Sequence, residues 1–391
     1  MLGRTGFLRR MPKWRIFVFE HLTKTLKMGF SKTKDPRKGK LYPFCFGMAI
    51  LKVVCYSAGC EQEASIIMLA ADIGGSNSRF SMFSGEGQKP VYKCGVVISS
   101  KQEEFSHLLN KLFTCWPVEW TELARASLVV FAAAGPVRDG RIEMTNADFA
   151  VDEDQIRNFF PDAEVRLMND FEAQAWACLS PVLETAERIL PGEGADAPEF
   201  TSASPVAVVG AGTGLGAAWL MPGESPRVLP SEAGHMSFPF DIRDEEERAF
   251  ASFLAGESPI LPTAGHVLSG SGLAKLHEFF TGKAEAPAHF TASMAFPASD
   301  TCRLFARFYG RFCRMAALSR LPQAVVIAGG VAEKTPCLVR HVEFAREFVR
   351  AAGAHGEFLN RVPVWLNRHP QSGLWGAAEA GAMLAHSGAE H

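Results

Sequence analysis

MLAADIGGSNSRFSMF, residues 68–83, is the stretch whose reading decides the fold. Met68–Asp72 is a short apolar run, Gly74 and Gly75 interrupt it, and Arg79–Phe83 resumes it. That order reads as a buried strand, a tight turn and a second strand. The pattern returns about 140 residues later, where PVAVVG (205–210) runs into AGTGLG (211–216) and then AAWLM (217–221). Two equivalent strand–glycine turn–strand units in one chain suggest a duplicated domain. Further strands are expected over Leu128–Gly135, Ile142–Asn146, Val165–Met168 and Val325–Gly330. Helices are expected over Phe171–Leu179, Ala249–Leu254, Leu273–Phe280 and Cys302–Leu318. Strands interspersed with helices in this way predict an α/β protein with a mixed sheet in each half.

The glycine turns carry anion-binding chemistry. In DIGGSNSR (72–79), Gly74 and Gly75 let backbone N–H groups approach an anion closely. Ser76 and Asn77 add donors for phosphate oxygens, and Asp72 stands at the strand end, where it can hold Mg²⁺ through water. Arg79 either holds phosphate or pairs with an acid. In the second turn, Gly212-x-Gly214-x-x-Ala217 matches a permissive dinucleotide fingerprint, but a fingerprint needs a helix after the turn. Here the following residues read as a strand closed by Pro222-Gly223. A glycine hairpin containing Thr213 suits a triphosphate tail better.

Phosphoryl transfer to a hydroxyl needs in-line placement, neutralised phosphate charge and a carboxylate to take the proton. Asn169-Asp170 follows the strand Val165–Met168, at a carboxyl end where α/β sites gather. Asp170 could also cap the helix that Phe171 opens, a role compatible with catalysis. Glu232 and His235 stand three residues apart across a small-residue turn and can reach hydroxyls of one ligand. A Glu/His pair could also bind metal, although no third ligand is nearby in the sequence. His235 taken alone could equally be structural.

The ordered set Asp72–Arg79, Met144-Thr145-Asn146, Asn169-Asp170-Phe171, Gly210–Gly216, Glu232–His235, Val267–Leu273 and Ile327–Val331 resembles the motifs of the bacterial glucokinase family, within the hexokinase- and actin-like superfamily. The resemblance spans nearly all of residues 68–391. It implies two actin-like, ribonuclease-H-like α/β domains with mixed sheets flanking a nucleotide and sugar cleft. The smaller domain would be 67–182 plus about 375–391, and the larger 183–374. It implies ATP-dependent phosphorylation of glucose, or a related hexose, to the 6-phosphate by a cytoplasmic, glycolytic homodimer. Asp170 would be the base, while Asn146, Asn169, Glu232 and His235 would hold the sugar. Gly74, Gly75, Ser76, Asn77, Gly210, Gly212, Thr213 and Gly214 would cradle the phosphates of ATP. Gly329 and Gly330 would flank adenosine, with Mg²⁺ near Asp72. Ser76 stands where the family has Thr, which keeps the hydroxyl. Gly265 stands where the family has a further sugar-binding Glu, a loss worth about 1–3 kcal/mol of hydroxyl binding. His266 or Glu257 are the nearby candidates to compensate.

Bulk properties are those of an ordinary globular protein. The chain has 391 residues, is 47% hydrophobic and 21% charged, and carries a net charge of −2. That supports a large core and two domains, with no nucleic-acid partner. Residues 1–66 hold 13 Lys and Arg against 4 Asp and Glu, leaving 27 against 38 for the remainder. The first segment is therefore +9 and the rest −11. Residues 41–60 (LYPFCFGMAILKVVCYSAGC) form an apolar run long enough to cross a bilayer. The expectation is instead a non-native or disordered extension ahead of Met68, with no stable membrane partner, since export would separate the domain from ATP. The nine cysteines show no CxxC spacing, zinc knuckle or disulfide framework, which fits a reducing compartment. The competing functions are a sugar-binding regulator of the same fold, a kinase of another small substrate such as acetate, and, last, a dinucleotide oxidoreductase.

Overall fold

A computed structural model describes residues 66–75, 77–86, 89–99, 104–117, 123–144, 147–190, 198–200, 204–256 and 261–387. The basic extension, its apolar run, Ser76, Asn146 and Glu257 lie outside the described residues.

Strand β1 (Ile66–Ile73) starts two residues before Met68 and pairs antiparallel with β2 (Asn77–Glu86). Strand β3 (Lys89–Ser99) continues the meander. After helix α1 (Phe105–Cys115), β4 (Leu128–Ala133) returns parallel to β1 on its other side. Short strands β5 (Val137–Arg138), β6 (Arg141–Glu143) and β7 (Ala150–Asp152) make a small separate sheet. Helix α2 (Glu153–Phe159) leads to β8 (Glu164–Asn169), parallel to β4. The sheet order is β3-β2-β1-β4-β8. Helix α3 (Asp170–Trp176) follows β8 directly.

The second sheet repeats the scheme. Strand β9 (Glu187–Leu190) forms one edge. Strands β10 (Val206–Ala211), β11 (Leu215–Met221) and β12 (Arg227–Ser231) form an antiparallel meander. Helices α4 (Glu245–Ala255), α5 (Ala264–Val267), α6 (Gly270–Thr281), α7 (Pro287–Phe290) and α8 (Asp300–Arg320) come next. Strand β13 (Ala324–Ala328) lies parallel to β10. Helices α9 (Gly330–Lys334), α10 (Cys337–Arg340), α11 (Val342–Phe348) and α12 (Gly353–Arg361) precede β14 (Val364–Leu366). The order is β12-β11-β10-β13-β14-β9. In both sheets a central strand has a parallel neighbour on one side and, on the other, the antiparallel hairpin that the repeated glycine units predicted, with β9 closing the second sheet antiparallel to β14.

Burial on both faces explains why the central strands read as unbroken apolar runs. Leu69, Ala71, Val129 and Phe131 face a core with Phe105, Leu108 and Leu109 of α1. Their alternates Met68, Ala70 and Val130 face the last helix, α13 (Ser372–Ser387), at Leu374, Ala377 and Ala378. Small residues let α13 come close: a side chain at Gly376 would collide with the Ala173 carbonyl of α3, and one at Gly381 with Met68. Helix α3 is wedged between the sheets. Its Ala173 and Trp176 join the core under the first sheet, while Ala175 joins Val206, Val208 and Ala218 of the second.

Candidate active site

Asp72 stands near the end of β1, in register with Arg79 on β2 and Ala132 on β4. Arg79 Nη1 lies 3.7 Å from Asp72 Oδ2. The turn beyond closes with Gly74 N–H donating to the Asn77 carbonyl at 3.2 Å. Asp72 is hemmed in from far along the chain. A Cβ on Gly373, in the first turn of α13, would sit 3.1 Å from Asp72 Cγ and 3.2 Å from Gln174 Nε2. Burial raises the Asp72 pKa, against the opposing pull of Arg79.

Asn169 ends β8 and caps α3, so Asp170 is not the cap. Asn169 Oδ1 accepts from Phe171 N at 2.8 Å and from Glu172 N at 3.4 Å, and Asn169 Nδ2 donates to the Gly135 carbonyl at 3.1 Å. This leaves Asn169 one amide hydrogen for a ligand. Asp170 is the first residue of α3 and also accepts from Phe171 N, at 2.9 Å. Its pKa is pushed up to about 7 by burial first, then by the charges of Asp72 and Glu232, with the Phe171 amide pulling it down. Three carboxylates from three distant segments thus act on one another electrostatically. A carboxylate poised near neutral pH is suited to take a proton.

Phe171 ties this helix to the second hairpin. Gly210 and Gly216 face each other across β10 and β11, and side chains there would meet the Phe171 ring at 2.9 and 1.9 Å. Gly210 therefore makes room for packing within the sheet, away from the hairpin tip. The tip itself is open: Gly212 and Gly214 have nothing within 4 Å of a hypothetical Cβ, and Thr213 is exposed. Gly212 N–H donates to the Gly214 carbonyl at 2.7 Å, and the Gly212 carbonyl accepts from Gly270 N at 2.8 Å. Ser269 caps α6 just there. Behind the tip, Ala211 N–H donates to the buried Tyr309 hydroxyl at 3.1 Å. Gly329 adopts φ 88° against the Ala211 carbonyl, where a side chain would collide, and Gly330 opens α9 beside it.

Glu232 and His235 flank a 3-10 turn over Ala233–His235, with His235 Nε2 3.7 Å from Glu232 Oε2. Gly234 packs against the Leu215 carbonyl, so the turn is seated on β11. Gly265 borders the same turn: a Cβ there would lie 3.2 Å from the Gly234 carbonyl. The acid expected at that position would have bordered this turn. His266 has one ring nitrogen committed locally, its Nδ1 accepting from Thr263 N at 3.2 Å in a capping box.

The described residues hold no cluster of three or more His, Cys, Asp or Glu arranged for a metal. The surroundings of Asp72 suit Mg²⁺ nonetheless. Mg²⁺ favours one or two carboxylates, phosphate oxygens and retained waters over an all-protein cage. Gln174 Oε1 is buried with no hydrogen-bond partner, and its Nε2 crowds the same Gly373 position as Asp72. Gln174 and Gly373 were not marked in the sequence. The available signal was that Gln174 lies one helical turn after Asp170.

The architecture is that of the sugar kinases and their actin-like relatives. The glucokinase of an Antarctic psychrotroph superimposes with a TM-score of 0.65 at 24% identity, over 81% of this chain and 98% of that one. The glucokinase of Balamuthia mandrillaris in complex with glucose gives 0.68 at 17% identity, over 81% and 94%. At the level of sequence, the Glucokinase family profile matches residues 69–384, and the chain belongs to that family. Glucokinase of Caulobacter sp. (strain K31) is 30% identical over 339 residues, covering 80% of this chain and 94% of the relative. Glucokinase of Chelativorans sp. (strain BNC1) is 29% identical over 351 residues, covering 86% and 97%.

Proposed function

We propose that the protein transfers the terminal phosphoryl group of ATP to the primary hydroxyl of glucose, giving glucose 6-phosphate. The observation that carries this reading is the placement of Asp170, held between two glycine hairpins and electrostatically coupled to Asp72 and Glu232. Asp170 takes the proton of the attacking hydroxyl. Glu232, His235, Asn146 and the remaining Asn169 amide hydrogen orient the sugar. Gly74, Gly75, Ser76 and Asn77 on one hairpin, with Gly212, Thr213 and Gly214 on the other, donate to phosphate oxygens. Gly210 supports the second hairpin by accommodating Phe171. Gly329 and Gly330 border the adenosine. Asp72, with Gln174 beside it, would hold Mg²⁺ through water, and the metal would supply neutralising charge to the phosphates. Residues 67–182 with about 375–391 act as one lobe and 183–374 as the other, in a cytoplasmic homodimer serving glycolysis.

A coupled ADP-release assay over a panel of hexoses tests the reading. Turnover with glucose that stops on chelation of Mg²⁺ and returns on its addition is expected. Calorimetric sugar binding without turnover on any hexose would replace the kinase reading with a sugar-binding regulator, the function that Gly265 alone favours.

A further inference from the structure

A second reactive centre lies away from the phosphate site. A cavity of about 480 Å³ is lined by Thr291, Pro297, Lys334, Cys337, Arg340 and His341, among others. Cys337 is half-buried at its wall, so its thiol is reachable. Directly behind it, Cys302 in the first turn of α8 is fully buried and hydrogen-bonds to the Cys337 sulfur. Lys334 and Arg340 are exposed cations on the cavity's rim, Arg340 being engaged by Glu187, while Glu343 beside the lining His341 is itself paired with Arg307 and Arg346. We infer that Cys337 and Cys302 form a thiol–disulfide exchange site, in which Cys337 attacks a small anionic disulfide of the glutathione type and Cys302 resolves the adduct.

The chemistry follows from the positions. Reactive cysteines are accessible thiolates in electropositive surroundings, often paired with a resolving thiol. The Cys337 pKa is lowered, first by the S–H donated from Cys302, then by the Cys337 and Leu338 backbone amides and by Arg340. Cys302 is shifted the opposite way by the same contact and by burial, and it lies fully buried behind Cys337, away from an incoming disulfide. Burial likewise pushes up the thiols of Cys178 and Cys313. In the first step, the Cys337 thiolate attacks one sulfur of the disulfide, the S–S bond breaks and one glutathione thiolate leaves. In the second, Cys302 gives its proton to solvent and attacks the Cys337 sulfur, expelling the other glutathione. Two protein thiols are oxidised to one disulfide, and one glutathione disulfide is reduced to two thiols. The new bond would join the start of α8, whose Tyr309 holds Ala211, to α10, two residues beyond α9 and its Gly330. The inference does not depend on which substrate is phosphorylated.

The test treats the full chain with oxidised glutathione at neutral pH and maps modified peptides by mass spectrometry over time. Cys337 should react on the order of tenfold faster than Cys115, the other partly exposed cysteine described. A Cys302–Cys337 disulfide reversible by dithiothreitol should then accumulate. Cys302→Ser, and independently Cys302→Ala, should trap a lasting mixed disulfide on Cys337, while Cys337→Ser should leave Cys302 unmodified. Equal rates at Cys337 and Cys115 would overturn the inference. So would a stable Cys337 adduct in the unsubstituted protein with no disulfide following it.

Discussion

At the scale of single residues, the carboxylate proposed as the base, Asp170, is defined less by its own motif than by what surrounds it. Asp170 could be placed after a strand from sequence, because an Asn-Asp pair at a strand-to-helix junction is a local signal. The cap, an alternative role open to Asp170 from sequence, is taken by Asn169, and Asp170 is the first residue of the helix. The partners that raise its pKa, Asp72 and Glu232, come from 98 residues before and 62 after, and no local pattern announces their proximity. Burial and two like charges hold the free-enzyme carboxyl near pH 7. The proton acceptor must be ionised, so kcat/KM for glucose should rise as pH increases through about 7 and level off above it. A flat profile between pH 5.5 and 8.5 would remove Asp170 from that role. Gly373 illustrates a different lesson: it reads as one small residue in an Ala- and Gly-rich run, yet a Cβ there would press on Asp72. Gly373→Ala should raise the KM for Mg-ATP more than that for glucose, measured by varying each substrate in turn.

At the scale of elements, the two glycine hairpins were legible because strand, glycine and strand are contiguous. What sequence did not show was the third partner of the second hairpin. Phe171, the second residue of α3, lays its ring over Gly210 and Gly216, so the helix carrying Asp170 packs directly on the second hairpin. Gly216→Ala places a methyl group 1.9 Å from the Phe171 ring. Overpacking of that kind costs about 1–3 kcal/mol. Equilibrium denaturation should register that loss, and the displaced ring should lower kcat as well. Strand β14 and helix α13 were not predicted, because their apolar residues find partners far along the chain; β3 and β12 were also missed, although each pairs with the strand just before it and β3 alternates buried with exposed residues. Helix α8 was predicted and is longer than expected, running from Asp300 to Arg320. Its Arg311 is almost fully buried, bonded to Glu247 of α4 at 2.6 Å and to Glu347 of α11 at 3.0 Å, and to the Pro239 carbonyl. Removing the cation leaves Glu247, 1% exposed, with only Arg307 at 3.8 Å, while Glu347 keeps Arg314 and Arg350, so Arg311→Met should cost about 3–5 kcal/mol in urea denaturation.

At the scale of the whole molecule, two copies of one sheet plan, each with its glycine turn, frame a site to which neither contributes a complete set of groups. The first sheet supplies Asp72 and Asp170, and the second supplies Glu232, His235 and the hairpin at Gly212–Gly214. That sharing between halves is why composition and local motifs gave the class of reaction while Gly265 leaves the choice of hexose to experiment. Folding stability also records the strain of buried acids. Glu379 on α13 is 3% exposed, one of its oxygens has no partner, and burial lifts its pKa to about 7 against the pull of Lys89. A pKa raised in the folded state favours folding fully below the unfolded value and loses that contribution as pH climbs through about 7. Glu379→Gln should therefore raise the melting temperature at pH 8.5 and change it little at pH 4.5, as followed by calorimetry. The central claim is that Asp170 takes the sugar proton, and Asp170→Asn, assayed for kcat with glucose and for ATP affinity by calorimetry, tests it most directly. The expected result is a fall in kcat of about 10²–10⁴-fold with ATP affinity retained; turnover equal to that of the unsubstituted protein would contradict it.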